Sequence, residues 1–401
     1  MTTIPAPPRG EPTPILDREA PLPDPARSGS GMGIVLVFYL ALASALTLGT
    51  VLGVPPILRR WILEDVPPWL ETQRSQLATP LGLAWMLVST IAALYAMVAI
   101  HELGHVLFGR AMGFRMQSLR IGPLELEEGR LKLHRRLGLA TSGVANILPT
   151  RSDHLGLRSF AMVAAGPLAN VVSGCAVLCL PSIHGIASAA FVAASFCNAL
   201  SDLLPLENRI GVSDGRRLWM LLRDRPRAER WLALMQLQAK VRDGVMPEAW
   251  PADLLARATA IRDASAETVS AHGLAYASAF HRRDDATAAR CLETCLQHAR
   301  SAARPLREAL ISDAAVFQAR RRNRPDLAQR WLEDLSSPSA SPWLRLRAEA
   351  GILEARGETA AAAGKLDEIG RLVEGLPDWR QREWLLSMLG RWRSDLAASA
   401  S

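Results

Sequence analysis

Hydrophobic and polar positions divide the 401-residue chain into two regimes. Between 34 and 206 apolar residues run in long uncharged blocks, while beyond about 217 apolar and charged residues interleave with a helical period. A membrane-crossing helix needs about 20 apolar residues. Four blocks meet that requirement, at 34–54, 81–108, 160–180 and 186–206. The last two contain Gly, Pro, Ser and Asn, which suits helices packed against each other around a site rather than facing lipid.

Between the second and third blocks the period changes. The stretch FRMQSLRIGPLELEEGRLKLHRR alternates apolar and polar residues around Glu128 and Gly129, which predicts a β-hairpin at the membrane surface. Such a hairpin offers a strand edge that can hold an extended peptide, or it covers the helix end. The C-terminal half carries HRRDDATAARCLE, RRNRPDLAQRWLE and ARGETAAAAGKLDEI. Each ends one helix, turns at polar residues and starts another, so a degenerate helix–turn–helix array of tetratricopeptide-like character is expected. Residues 1–30 are Pro-rich and predict a disordered tail. The expected organisation is therefore this tail, an all-α polytopic membrane domain over 31–216 with its small surface hairpin, and a soluble α-helical repeat-like domain over 217–401.

Charge adds an orientation. The net charge is +7, and Arg and Lys crowd into 109–158 and the region after the fourth block. By the positive-inside rule that side is cytoplasmic, and four spans put both termini there. The expectation is a multi-pass protein of a bacterial inner membrane. No basic motif interleaved with aromatics is present, so a nucleic-acid partner is not expected. The cysteines, Cys175, Cys179, Cys197, Cys291 and Cys295, form no CxxC and read as packing residues of a reducing compartment.

The chemistry lies in His101-Glu102-Leu103-Gly104-His105, an HExxH motif ending the second block. Residues four apart share a helix face about 6 Å apart along the axis, so the two imidazoles can bind one zinc ion with Glu102 beside it. Ionisable groups at membrane depth are costly and seldom idle. Catalytic zinc commonly takes a third protein ligand. The remaining histidines sit in loops or the soluble region, so a carboxylate is expected. Asp202 and Asp214 both qualify, and spacing does not choose between them.

Together with Ala165-Gly166-Pro167-Leu168-Ala169-Asn170 and Ser213-Asp214-Gly215, the HExxH segment resembles the site-2 protease family of intramembrane zinc metalloproteases. The resemblance implies Asp214 as third zinc ligand, Glu102 as general base, and Asn170 as a group that binds substrate backbone or an oxyanion. It further implies membrane-anchored protein substrates met in the lipid bilayer. Asp202-Leu203-Leu204-Pro205 stands where many members have Asn-Leu-Leu-Pro, unless Asn198 fills that role. No PDZ-like insertion is apparent; the helical C-terminal region takes its place and offers a surface for a protein partner. Two other readings compete: a proteolytically inactive membrane scaffold that recruits partners through those helices, and a zinc-dependent hydrolase of a non-peptide substrate.

Overall fold

The structure is a computed structural model that describes residues 15–17, 79–127, 129–133, 143–180, 186–207, 212–335, 341–376 and 379–400. The expected first span, 34–54, lies outside the described residues. The chain forms two compact units, 28–228 and 229–401 together with 1–27.

In the first unit, helix α1 runs Pro80–Ala111. Thr79 caps it, its hydroxyl accepting from the Gly82 N–H at 3.0 Å, and Pro80 opens it where no N–H is needed. Leu81, Trp85, Leu87 and Val88 are each more than half exposed on its surface. So continuous an apolar face needs a non-aqueous partner. Helix α2 spans Leu155–Leu178 and α3 spans Ile186–Leu203. Among the described residues α1 and α2 are long and apolar enough to cross a membrane, and α3 is a shorter apolar helix. The three helices pack on one another, with Met97, Phe191, Val192 and Ala194 at the centre of one contact.

The polar end of α1 feeds a sheet. Strands β1 (Phe114–Ile121), β2 (Leu124–Glu127), β3 (Arg130–Leu133) and β4 (Gly143–Pro149) lie in the antiparallel order β3-β2-β1-β4. The expected hairpin is therefore one part of a larger sheet. A second reversal occurs at Gly122 (φ 57°), and β4 pairs with β1 from Phe114↔Pro149 to Ile121↔Gly143. Arg158 fastens α2 to the turn after α1. Its guanidinium is buried and donates to the carbonyls of Met112 (2.5 Å), Gly113 (2.8 Å) and Asp153 (2.8 Å). Charge-assisted bonds to backbone carbonyls make such burial tolerable. After α3 the chain turns back through the Glu207↔Val212 bridge into α4, Asp214–Arg223.

The second unit is helical. Helix α5 (Arg225–Arg242) leads in, and α6 (Ala252–Ala258) follows. Three helix pairs come next: α7 (Ala266–His281) with α8 (Asp285–Gln297), α9 (Arg304–Arg320) with α10 (Pro325–Glu333), and α11 (Pro342–Ala355) with α12 (Thr359–Glu374). Helix α13, Trp379–Ala400, packs on α12. Phe317, Leu310, Leu292, Trp331 and Leu366 are buried in their common core.

The expectation of a disordered tail is corrected at Ile15–Asp17. These residues form a single 3-10 turn, and Leu16 is 1% exposed within the core of the helical unit. Composition gave the tail too little apolar surface to fold alone. These three residues instead add themselves to a core built by others.

Candidate metal centre

The helical period of α1 puts His101 and His105 one turn apart, ring centroids 4.8 Å apart and nearly perpendicular. Both are buried, as is Glu102. His105 Nδ1 lies 2.9 Å from the Met162 carbonyl on α2. A carbonyl only accepts, so Nδ1 carries the proton and Nε2 presents a lone pair. His101 Nε2 lies 3.2 Å from His105 Nε2.

Asp214 completes a triangle. Its Oδ2 lies 3.3 Å from His101 Nε2 and 3.1 Å from His105 Nε2. The Ser213 hydroxyl caps α4 by accepting from the Arg216 N–H, and it donates to the Leu204 carbonyl, so Asp214 is held at the start of the helix. Asp202 sits on the same side, 3.7 Å from His101 Nε2, and accepts from Asn198 at 2.6 Å. Of the two candidate aspartates, then, Asp214 stands between both imidazoles and Asp202 beside one.

The donor set fits a zinc ion. Zinc–ligand bonds of 2.0–2.1 Å in a tetrahedron separate neighbouring ligand atoms by about 3.3 Å, and the three edges here are 3.1, 3.2 and 3.3 Å. Imidazole lone pairs and a carboxylate oxygen converging this closely repel one another unless a ring proton or a cation lies between them.

An unpaired atom points the same way. Asn170 is fully buried on α2, its amide nitrogen 3.3 Å from His101 Nδ1, while its carbonyl oxygen has no partner. Amide nitrogen and oxygen exchange places by a flip of the side chain. In the flipped form Oδ1 accepts from His101 Nδ1–H, which satisfies the orphan and frees His101 Nε2 as a ligand. Asn198 Nδ2 approaches the same ring atom at 3.4 Å. Asn170 thus contacts an imidazole across the α1–α2 interface.

Two glycines make the close approach possible. A side chain at Gly166 would strike Nε2 of both His105 and His101. One at Gly143, the first residue of β4, would strike the Glu102 carboxylate. Edge strand β4 therefore passes directly beside Glu102. Sequence reasoning placed Gly166 in a motif without a role and missed Gly143 and the Met162 carbonyl. Nothing local to GVANILP marks it as the neighbour of a helix residue some forty positions earlier.

Two buried imidazoles, a converging carboxylate and a buried glutamate make this a candidate metal centre at the end of an apolar helix. Residues 89–204 match the model of Peptidase family M50, the site-2 protease family of membrane-embedded metallopeptidases. The match takes in the HExxH motif, AGPLAN and Asp202, and ends before Asp214. No curated protein and no solved structure matches the chain.

Proposed function

We propose that the chain is a zinc metalloendopeptidase that hydrolyses peptide bonds of membrane-associated proteins. The observation that carries this reading is the triangle of His101, His105 and Asp214 with tetrahedral edge lengths beside the buried Glu102. Those three residues would hold the metal. A zinc ion there supplies a Lewis acid that brings the pKa of water to about 7 and polarises the scissile carbonyl.

The remaining work falls to the protein. Glu102 accepts the proton of the attacking water at its carboxylate and returns it to the leaving nitrogen. Met162 and Asn170 fix the two rings by holding their Nδ1 protons. Peptide bonds inside a helix are shielded by their own hydrogen bonds, so a substrate must unwind to be cut. The β4 edge, bare of side chain at Gly143 where it passes Glu102, suits an added extended strand. This moves the substrate seat from the expected hairpin edge to β4.

Four spans, with both termini on the cytoplasmic side of a bacterial inner membrane, agree with the Arg-rich segment 109–158. Over 229–401, first helices starting at 266, 304 and 342 keep a constant spacing, which supports a repeat array of tetratricopeptide-like character.

The test uses the purified full chain with a membrane-helix substrate. Cleavage should stop with chelator and return with zinc. Glu102→Gln should lose about 100-fold or more in rate while keeping its zinc. Undiminished cleavage by Glu102→Gln, or by the metal-free protein, would sink the proposal. Zinc binding without cleavage of any peptide would favour the scaffold or a non-peptide hydrolase.

A further inference from the structure

The turn Ile15–Asp17 occupies a site that treats it as a ligand. Glu293 on α8 accepts the N–H groups of both Ile15 (2.8 Å) and Leu16 (2.9 Å) with its two oxygens. The Leu16 carbonyl accepts from Gln318 Nε2 at 2.6 Å and from Trp331 Nε1 at 3.2 Å. The Leu16 side chain is buried in the helical core. Asp17 Oδ1 takes Arg324 at 3.0 Å, Gln318 at 3.2 Å, and Arg322.

These partners lie about 280 to 310 residues away in sequence, on α8, α9, α10 and the turn between the last two. They read three features together: the main-chain groups of two consecutive residues, a leucine side chain and an adjacent carboxylate. Gln318 is fully buried and Trp331 is 3% exposed. Without an occupant the buried Gln318 amide would lose both acceptors it now has, the Leu16 carbonyl and the Asp17 carboxylate, a costly arrangement for a core. A core meant only to be filled needs a leucine, not a bidentate carboxylate, two buried donors and two guanidinium groups.

We propose that the α8–α10 pocket is a peptide-recognition site for a segment of the form apolar–Leu–acidic on another protein, and that Ile15-Leu16-Asp17 is its built-in competitor. A tethered segment competes for its site at an effective concentration set by the chain that joins them, with no loss of translational freedom on each rebinding. An incoming peptide sees its affinity lowered by the fraction of time the pocket is open. This inference is independent of the metal centre and stands or falls separately from the protease reading.

The experiment measures binding of a fluorescent peptide, EPTPILDREA, to the full chain in detergent. The wild type is compared with Leu16→Ala/Asp17→Ala, which empties the pocket. The emptied variant should bind at least about tenfold more tightly than wild type. Adding Glu293→Ala or Arg324→Ala to it should abolish that gain, and the peptide with Ala for Leu should not bind. Helix content and unfolding midpoint identify any variant that fails to fold. Amide exchange at Ile15 and Leu16 provides a second reading: it should be slow in wild type and fast in Glu293→Ala. Equal binding to wild type and emptied variant overturns the proposal. So does binding that survives Glu293→Ala, or a folded emptied variant that takes no peptide at about millimolar concentration.

Discussion

Asn170 meets His101 across the α1–α2 interface with its amide 3.3 Å from ring atom Nδ1 and its own carbonyl oxygen buried and unpaired. The pair links the AGPLAN motif to HExxH through a hydrogen bond, which under the proposed function makes Asn170 a positioning residue for the His101 ring. An outer-shell partner of a metal-ligating imidazole commonly contributes 10- to 100-fold in metal affinity. Asn170→Ala should therefore lower zinc affinity by about that factor, while Asn170→Asp, which retains an acceptor for Nδ1–H, should keep most of it. Chelator competition on the two variants reads the difference. Equal losses would remove the acceptor argument.

Gly166 tests how tightly the helix backbone closes over the imidazoles. A methyl group there would overlap Nε2 of both histidines, and neither ring can retreat without breaking its bond to Met162 or Asn170. Gly166→Ala is expected to lose stoichiometric zinc while keeping its helix content by circular dichroism. A variant that binds zinc normally would mean the rings have room that these contacts deny them.

The parts of this site differ in how readable they were, and the difference is physical. His101 and His105 were legible because helical period and ligand chemistry both act locally. Asp214 needed the resemblance, since Asp202 is equally acidic and similarly placed in sequence; only the reversal through Glu207↔Val212 separates them. Strand β4 was missed because a short apolar run cannot be assigned by periodicity alone. Leu16 was illegible for a stronger reason: its order depends on Glu293, Gln318 and Trp331, which no tail composition foretells.

Asp202 and Asp214 make a direct comparison. Asp214 Oδ2 approaches both imidazoles at 3.1–3.3 Å, whereas Asp202 approaches only His101, at 3.7 Å, and is already engaged by Asn198. Asp214→Ala should abolish zinc retention on dialysis. Asp202→Asn should retain one zinc per chain, because it removes a neighbouring charge and keeps a polar partner for Asn198. The reverse pattern would transfer the ligand role to Asp202.

The helical unit carries a separate pH dependence. His272 on α7 is 3% exposed, and neither ring nitrogen has a hydrogen-bond partner. Burial, aided by the nearby charges of Arg262 and His298, lowers its pKa from 6.5 to about 4. A buried base with a depressed pKa stays neutral when folded and takes up a proton on unfolding. Its contribution to stability is complete above pH 6.5 and is lost as pH falls toward 4, amounting to roughly 3 kcal/mol. His281 is depressed to about 4 in the same way, chiefly by burial, and adds to the effect. Asp313 works in the opposite sense, because burial raises its carboxyl despite the Arg347 ion pair at 2.7 Å. The wild type and His272→Leu share these other groups, so the difference between them isolates His272. Leucine abandons no hydrogen bond, since the imidazole makes none. Thermal unfolding of the full chain, followed across pH 7 to about 4.5, should show the helical transition falling less steeply in His272→Leu. Parallel pH profiles for the two proteins would mean that His272 is protonated in the folded state, or reaches water, at mildly acidic pH.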